Sequence, residues 1–419
     1  MGAIAVALAL AMAAAAAQAG TTERVSVATG GGQALGLSFV QAISSDARFV
    51  LFLSLAANLV SGDTNRAIDA FLRDRQAGTT ERVSLGTGGV QGNGGILAAA
   101  LSADGRFVAF ASSASNLVAG DTNGWTDVFV RDRRSGAVER VSVTDAGAQG
   151  DFDSGARVAI SADGRIVAFI TRADNLVAGE PLCVVVVRDR QTGRNECAIR
   201  PLGPTPLSRS VSVALSADGR FVAFDSTAAN LVPDDHNRST DVFVRDRQRG
   251  ITERVSVDTA SAEHRGESRN VSISADGRMV AFASTAQLTA QESTQRNVFV
   301  RDRQAGTTVR VSQDSAGNAA DRDSGAPAIS PDGRFVAFDS QAGNLLPRAT
   351  DHRWNIFLRD LQTGAIQRMS VGAGGLPTGG PSTKPVVASG GAAVAFTSNG
   401  PNLVPGDSNG VGDAFLRTR

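Results

Sequence analysis

Leu101–Phe110 reads LSADGRFVAF, and the same ten-residue phrase returns along the whole chain. The copies are Ile43–Phe52 (ISSDARFVLF), Ile160–Phe169 (ISADGRIVAF), Leu215–Phe224 (LSADGRFVAF), Ile273–Phe282 (ISADGRMVAF), Ile329–Phe338 (ISPDGRFVAF) and a worn Val387–Phe396 (VASGGAAVAF). Their turn positions, Asp46, Asp104, Asp163, Asp218, Asp276, Asp332 and Gly390, are spaced by 58, 59, 55, 58, 56 and 58 residues. So steady a period marks a repeat architecture, and residues 20–419 read as one closed domain rather than two or three.

Each module carries four short strand signals separated by turn residues. In the second module they are strand a near Ile96–Ser102, b at Arg106–Ser112, c at Asp127–Arg131 and d at Val138–Val143. Asp104-Gly105 joins a to b and reads as a two-residue hairpin turn with positive φ at both positions. Along strand b, Phe107 and Ala109 point one way and Val108 and Phe110 the other, so both faces are apolar, as in a sheet packed between two neighbouring sheets. Four antiparallel strands at this period predict an all-β, seven-bladed β-propeller. A lone d-type strand, Thr21–Val27 (TTERVSV), opens the chain, and the last strand c, Asp413–Arg417 (DAFLR), has no strand d after it. The two are expected to pair and close the ring, removing the last exposed sheet edges.

Comparison of the copies exposes a linked pair. An Arg opens strand b (Arg48, Arg106, Arg165, Arg220, Arg278, Arg334) and an Asp ends strand c (Asp74, Asp132, Asp189, Asp246, Asp302, Asp360); in the seventh copy both vanish, to Ala392 and Thr418. Antiparallel b and c strands predict a cross-strand ion pair that fixes register; the turn Asp two residues before each Arg is the rival partner. The phrase SADGR-[FIM]-VAF followed by DVFVRD resembles the WD40-like propeller repeat of the TolB type, whose Ser-Pro-Asp-Gly-Lys/Arg core is matched by Ser330–Arg334, and the resemblance covers residues 21–419. It implies a propeller; such propellers serve as binding platforms, scaffolds or, in some relatives, enzyme domains.

The formal net charge is zero, so nothing in the balance points to nucleic acid or an anionic membrane surface. Residues 1–19 read as a cleaved signal peptide, an apolar run ending Ala17-Gln18-Ala19, which predicts a periplasmic or extracellular protein with no stable membrane insertion after cleavage. Cys183 and Cys197 flank the predicted hairpin turn at Arg190 symmetrically, and in an exported protein a disulfide between them is expected.

In a propeller the b–c and d–a connections share one face, and here they are the long ones, so function is expected there. Four b–c loops carry Asp-x-Asn-x-x-x-Asp: Asp63, Asn65, Asp69; Asp121, Asn123, Asp127; Asp235, Asn237, Asp241; and Asp407, Asn409, Asp413. Alternating oxygen side chains resemble part of a calcium loop, and calcium is the one cofactor the pattern admits; the same residues also make local Asx turns. Asp151 and Asp153, Glu263, His264 and Glu267, and Asp321 and Asp323 are candidate ligand-binding residues in d–a loops at the channel mouth. No His pair has metal-ligand spacing. The expectation is a monomeric, non-catalytic binding or scaffold module for a protein or glycan; the alternative is a hydrolase or polysaccharide lyase with an acidic site at the channel mouth.

Overall fold

The computed structural model describes residues 20–199, 212–347 and 351–419; the expected signal peptide lies outside them. Seven four-stranded antiparallel sheets form the blades. Blade 1 runs a Ser38–Ile43, b Phe49–Ser54, c Asp69–Asp74, d Thr79–Arg82, and blade 2 runs a Ile96–Leu101, b Phe107–Ser112, c Asp127–Asp132, d Val138–Arg140. In blade 7, strands a Ser382–Val387, b Ala393–Ser398 and c Asp413–Thr418 are completed by Thr22–Arg24 as strand d. The register Thr22↔Arg417, Glu23↔Leu416, Arg24↔Phe415 closes the ring with the strand expected from the N-terminus.

Strands b and c are the most deeply buried elements of the blades, since they pack on both faces. A Phe of strand b stacks on a Phe of strand c in six blades, as Phe110 on Phe129 at 5.8 Å between centroids. Blade 3 sets Phe169 against Val186 instead. These pairs fill the wedge between neighbouring sheets and are among the largest fully buried side chains.

The a–b turn corrects one sequence reading. Only the glycine, Gly105, has positive φ (73°); Ser102 accepts from the Gly105 N–H, and Ser102 N–H donates to Phe107 across a four-residue loop. The glycine is needed twice, because a Cβ there would stand 2.4 Å from the Phe49 ring of the preceding blade. The turn residue before each Asp forms a hydrogen-bonded necklace round the axis: Ser45 to Ala103, Ala103 to Ala162, Ala162 to Ala217, Ala217 to Ala275, Ala275 to Pro331, and Ser389 back to Ser45, each N–H donating to the next carbonyl. The link from residue 331 is missing because proline has no N–H.

The guanidinium of each strand-b Arg takes the carboxylate ending strand c in two parallel bonds, as Arg106 Nε to Asp132 Oδ1 at 3.0 Å and Nη2 to Oδ2 at 2.7 Å. The turn Asp, the rival partner, instead accepts the backbone N–H of Arg106 and the Ser102 hydroxyl. The guanidinium holds the Asp74, Asp189 and Asp246 carboxyls down at about 2.

Candidate binding face

The four Asp-x-Asn-x-x-x-Asp loops close on an arginine. Arg140 of strand d reaches between Asp121 (3.0 Å) and Asp127 (3.3 Å), Arg82 between Asp63 (3.3 Å) and Asp69 (3.6 Å), and Arg24 between Asp407 (3.6 Å) and Asp413 (3.7 Å). In blade 4, Arg254 meets Asp235 at 3.5 Å and Glu263 at 2.7 Å. The Asn completes the box: Asn123 donates to Asp127 and to the carbonyl of Gly150, and its own oxygen accepts from Trp125 N–H. A serine two residues past the end of strand d donates to the strand-c carboxylate, as Ser142 to Asp127 and Ser84 to Asp69. Burial pushes the Asp63 and Asp121 carboxyls up and Asp235 to about 6. Among the described residues no group of three or more His, Cys, Asp or Glu is arranged to hold a metal ion.

Blade 3 replaces this ionic clasp with a covalent one. Strand-c Phe129 faces Arg140 across the ladder in blade 2, and Val186 faces Cys197 at the same place in blade 3. Cys197 bonds Cys183 of the b–c loop, with Cα atoms 5.7 Å apart. The disulfide therefore ties strand d to the loop just where Arg140 does so electrostatically.

A second set of clasps, not anticipated from the sequence, joins the blades. Glu81 on strand d of blade 1 pairs with Arg133 at the c–d turn of blade 2, and the same link is made by Glu23–Arg75, Glu139–Arg190, Glu196–Arg247 and Glu253–Arg303. Arg133 also lies over the Phe49 ring at 4.6 Å. The signal was present in the copies: where Arg becomes Leu361, the preceding Glu becomes Val309.

The candidate ligand-binding acids of the d–a loops fasten neighbouring backbone. Asp151 accepts from Asp174 N–H (2.9 Å), Asp153 from Thr126 N–H (2.9 Å), Asp321 from Gly343 N–H (2.8 Å) and Asp323 from Arg296 N–H (3.0 Å). Glu263 accepts from His236 N–H, His264 bonds Asp258 at 2.9 Å, and Glu267 pairs with Arg269 at 2.8 Å. They are distributed over three separate loops. His236 and His264 are closer than their sequence positions suggest, since Asn237 of the first loop donates to the carbonyl of His264.

This face also leaves several large apolar side chains open to solvent. Among the described residues, nearly all the exposed large hydrophobic side chains lie on it, and Ile251 and Val309 are the exceptions. Leu35, Leu55, Val90, Leu97 and Leu182 trace an arc over blades 1 to 3. Within the arc Trp125, from the b–c loop of blade 2, stacks on Phe152 of the following d–a loop at 4.2 Å, with 38% and 37% of each side chain's residue surface still exposed. Asp153, beside Phe152, holds Thr126 N–H, beside Trp125, and so fixes the two loops that present the rings.

These features define a β-propeller whose loops are locked by internal clasps. No family model matches the chain and no curated protein matches it. Solved structures with the same fold include an oligogalacturonate lyase in complex with manganese (13% identity, TM-score 0.56, covering 95% of this chain and 96% of that one). The β-propeller domain of the Trilobed protease from Pyrococcus furiosus is also similar (12%, TM-score 0.53, 86% and 89%). TolB from Acinetobacter baumannii is matched at 15% identity with a TM-score of 0.42, over 80% of this chain and 63% of its own. At these identities the likeness is one of fold. Among the described residues no helix is long and apolar enough to cross a membrane.

Proposed function

We propose that the chain is an exported, non-catalytic binding module that recognises a protein partner through the b–c and d–a loop face of blades 1 to 3. The observation that carries this reading is the solvent-facing Trp125–Phe152 stack within an arc of exposed aliphatic side chains. An exposed apolar patch on rigidly held loops is what a recognition surface presents, and aromatic anchors dominate binding energy at such surfaces. A glycan site would set free hydrogen-bonding groups round its aromatic platform; here Asp151, Asp153, Asn93 and Asn116 are engaged with loop backbone. Catalysis draws no comparable support, because Asp151, Asp153, Asp321 and Asp323 are spent on backbone N–H groups of neighbouring loops.

The test is affinity capture on the immobilised mature chain, comparing it with a Trp125→Ala, Phe152→Ala double variant and an Ile251→Ser, Val309→Ser control. A protein retained by the mature chain and the control but lost from the double variant supports the reading. Equal retention on all three, or none on any, overturns it.

A further inference from the structure

The ring-bearing loops of blades 2 and 3 are joined by hydrogen bonds into one frame. Thr126 N–H, beside Trp125, donates to Asp153 at 2.9 Å, and Phe152 stands in the chain between Asp153 and Asp151. Asp151 in turn accepts from Asp174 N–H at 2.9 Å, and Asp174 accepts from Leu182 N–H at 3.1 Å. The frame thus sets three exposed apolar side chains, Trp125, Phe152 and Leu182, among three carboxylates. A backbone N–H satisfies a carboxylate lone pair without cancelling its charge, and among the described residues no cation pairs with Asp151, Asp153 or Asp174. The three loops concerned, residues 113–126, 141–153 and 172–184, hold six acids and a single arginine, Arg172. One of the six, Asp121, is already matched by Arg140 of strand d.

Blades 5 and 6 carry the same frame with its charge cancelled. Asp321 accepts from Gly343 N–H and Asp323 from Arg296 N–H, as Asp151 and Asp153 do from Asp174 and Thr126. There, however, the Arg296 side chain pairs with Asp323 at 3.6 Å, and Arg322 occupies the place of Phe152. Two carboxylates are offset by two guanidinium groups. Between blades 2 and 3 the arginines are replaced by Thr126 and Phe152, and Gly343 by Asp174, so three carboxylates are set against Arg172 alone. Holding the loops needs only the acids; the rings and the surplus negative charge are what this copy adds.

An apolar patch with surplus charge of one sign selects a partner of the opposite sign. Resting on the loop-face reading above, we propose that the partner docks through a basic segment of its chain, a large apolar side chain flanked by lysine or arginine. The apolar group packs on the Trp125–Phe152 stack and the cations lie over Asp151, Asp153 and Asp174. The rings add to this attraction, since a cation is drawn to the face of tryptophan. With a net protein charge of zero the attraction is local to the patch, and salt screens it.

Fluorescence anisotropy of labelled short peptides at low ionic strength tests it, with peptides of alternating leucine and lysine, leucine and serine, or leucine and glutamate. The lysine peptide should bind the parent chain roughly tenfold more tightly than the serine peptide, the glutamate peptide should bind most weakly, and added salt should remove the differences. A variant with Asp151→Asn, Asp153→Asn and Asp174→Asn keeps an acceptor for each N–H, so it folds as the parent does, and it binds the lysine and serine peptides alike. Asp163→Asn, Asp218→Asn and Asp276→Asn together remove the same charge from the tight-turn face, where these carboxylates also accept backbone N–H groups, and leave the preference intact. Binding of the serine or glutamate peptide to the parent as tightly as the lysine peptide, or equal loss of the preference in both triple variants, overturns the basic segment and leaves the apolar face standing. No binding of any peptide, or binding that survives Trp125→Ala with Phe152→Ala, removes the face itself and the basic segment with it.

Discussion

Replacing Arg140 by methionine removes the cation from one loop clasp while keeping the length and apolar character of its stem. Arg140 bridges Asp121 and Asp127, whose side chains are 3% and 1% exposed, so the variant leaves two buried carboxylates facing each other. Breaking a buried ion pair by removing one partner costs about 3–5 kcal/mol. An unfolding entropy of about 2.1 cal/mol/K per residue over roughly 400 residues gives about 0.8 kcal/mol/K, so the melting temperature should fall by roughly 4–6 °C. Scanning calorimetry at pH 7.5 measures this. The deficit should shrink as the pH is lowered, because protonation relieves the repulsion between the stranded carboxyls, and calcium should raise the variant's melting temperature by occupying the vacated gap. Arg134→Met is the matched surface control, being 72% exposed and 3.9 Å from Asp104. A loss no larger than the control's would refute the reasoning, since the clasp would then be an ordinary surface pair.

The disulfide closes a span of 14 residues, so Cys183→Ser with Cys197→Ser should cost about 3 kcal/mol, or roughly 4 °C, by calorimetry. Deleting residues 20–28 exposes the Asp413–Thr418 edge and should lower the melting temperature sharply; an unchanged value would mean the ring does not depend on this strand. Burial pushes the Asp339 carboxyl up to about 6 from 3.8, so the stability it contributes is present below pH 4 and lost as the pH rises through 6. Asp339→Asn, which keeps an acceptor for Lys384 N–H, should therefore gain on the parent across that window, by about 3 kcal/mol at pH 8 in denaturant titrations. Val309→Glu and Leu361→Arg together recreate the link made by Glu81 and Arg133, and a double-mutant cycle should show a favourable coupling of a few tenths of a kcal/mol.

The blades were legible in the sequence because each strand sits in the same environment seven times over. The Arg106–Asp132 pair and the closing strand followed from comparing copies and from strand direction alone. The turn geometry was misjudged at Asp104 because a four-residue loop with one left-handed glycine and a two-residue loop share the same Asp-Gly signature. The loop residues were legible as Asx turns or part of a calcium loop, whereas the arginine between the carboxylates lies on strand d, at positions such as Arg140 that read locally as an outward-facing strand position. The link between Glu81 and Arg133 spans 52 residues and two blades, and only the joint loss at Val309 and Leu361 betrays it. The aromatic stack occurs once in the ring. Trp125 and Phe152 break the repeat rather than follow it, so periodicity carries no information about them.

That contrast locates the account's central claim: repeated residues build and lock the scaffold, and recognition lies in the unrepeated side chains on the loop face of blades 1 to 3. Hydroxyl-radical footprinting of the mature chain, free and bound to a captured partner, tests it most directly. Protection centred on Trp125, Phe152 and Leu97, with the a–b and c–d turns unchanged, is the predicted result; protection confined to those tight turns would contradict it.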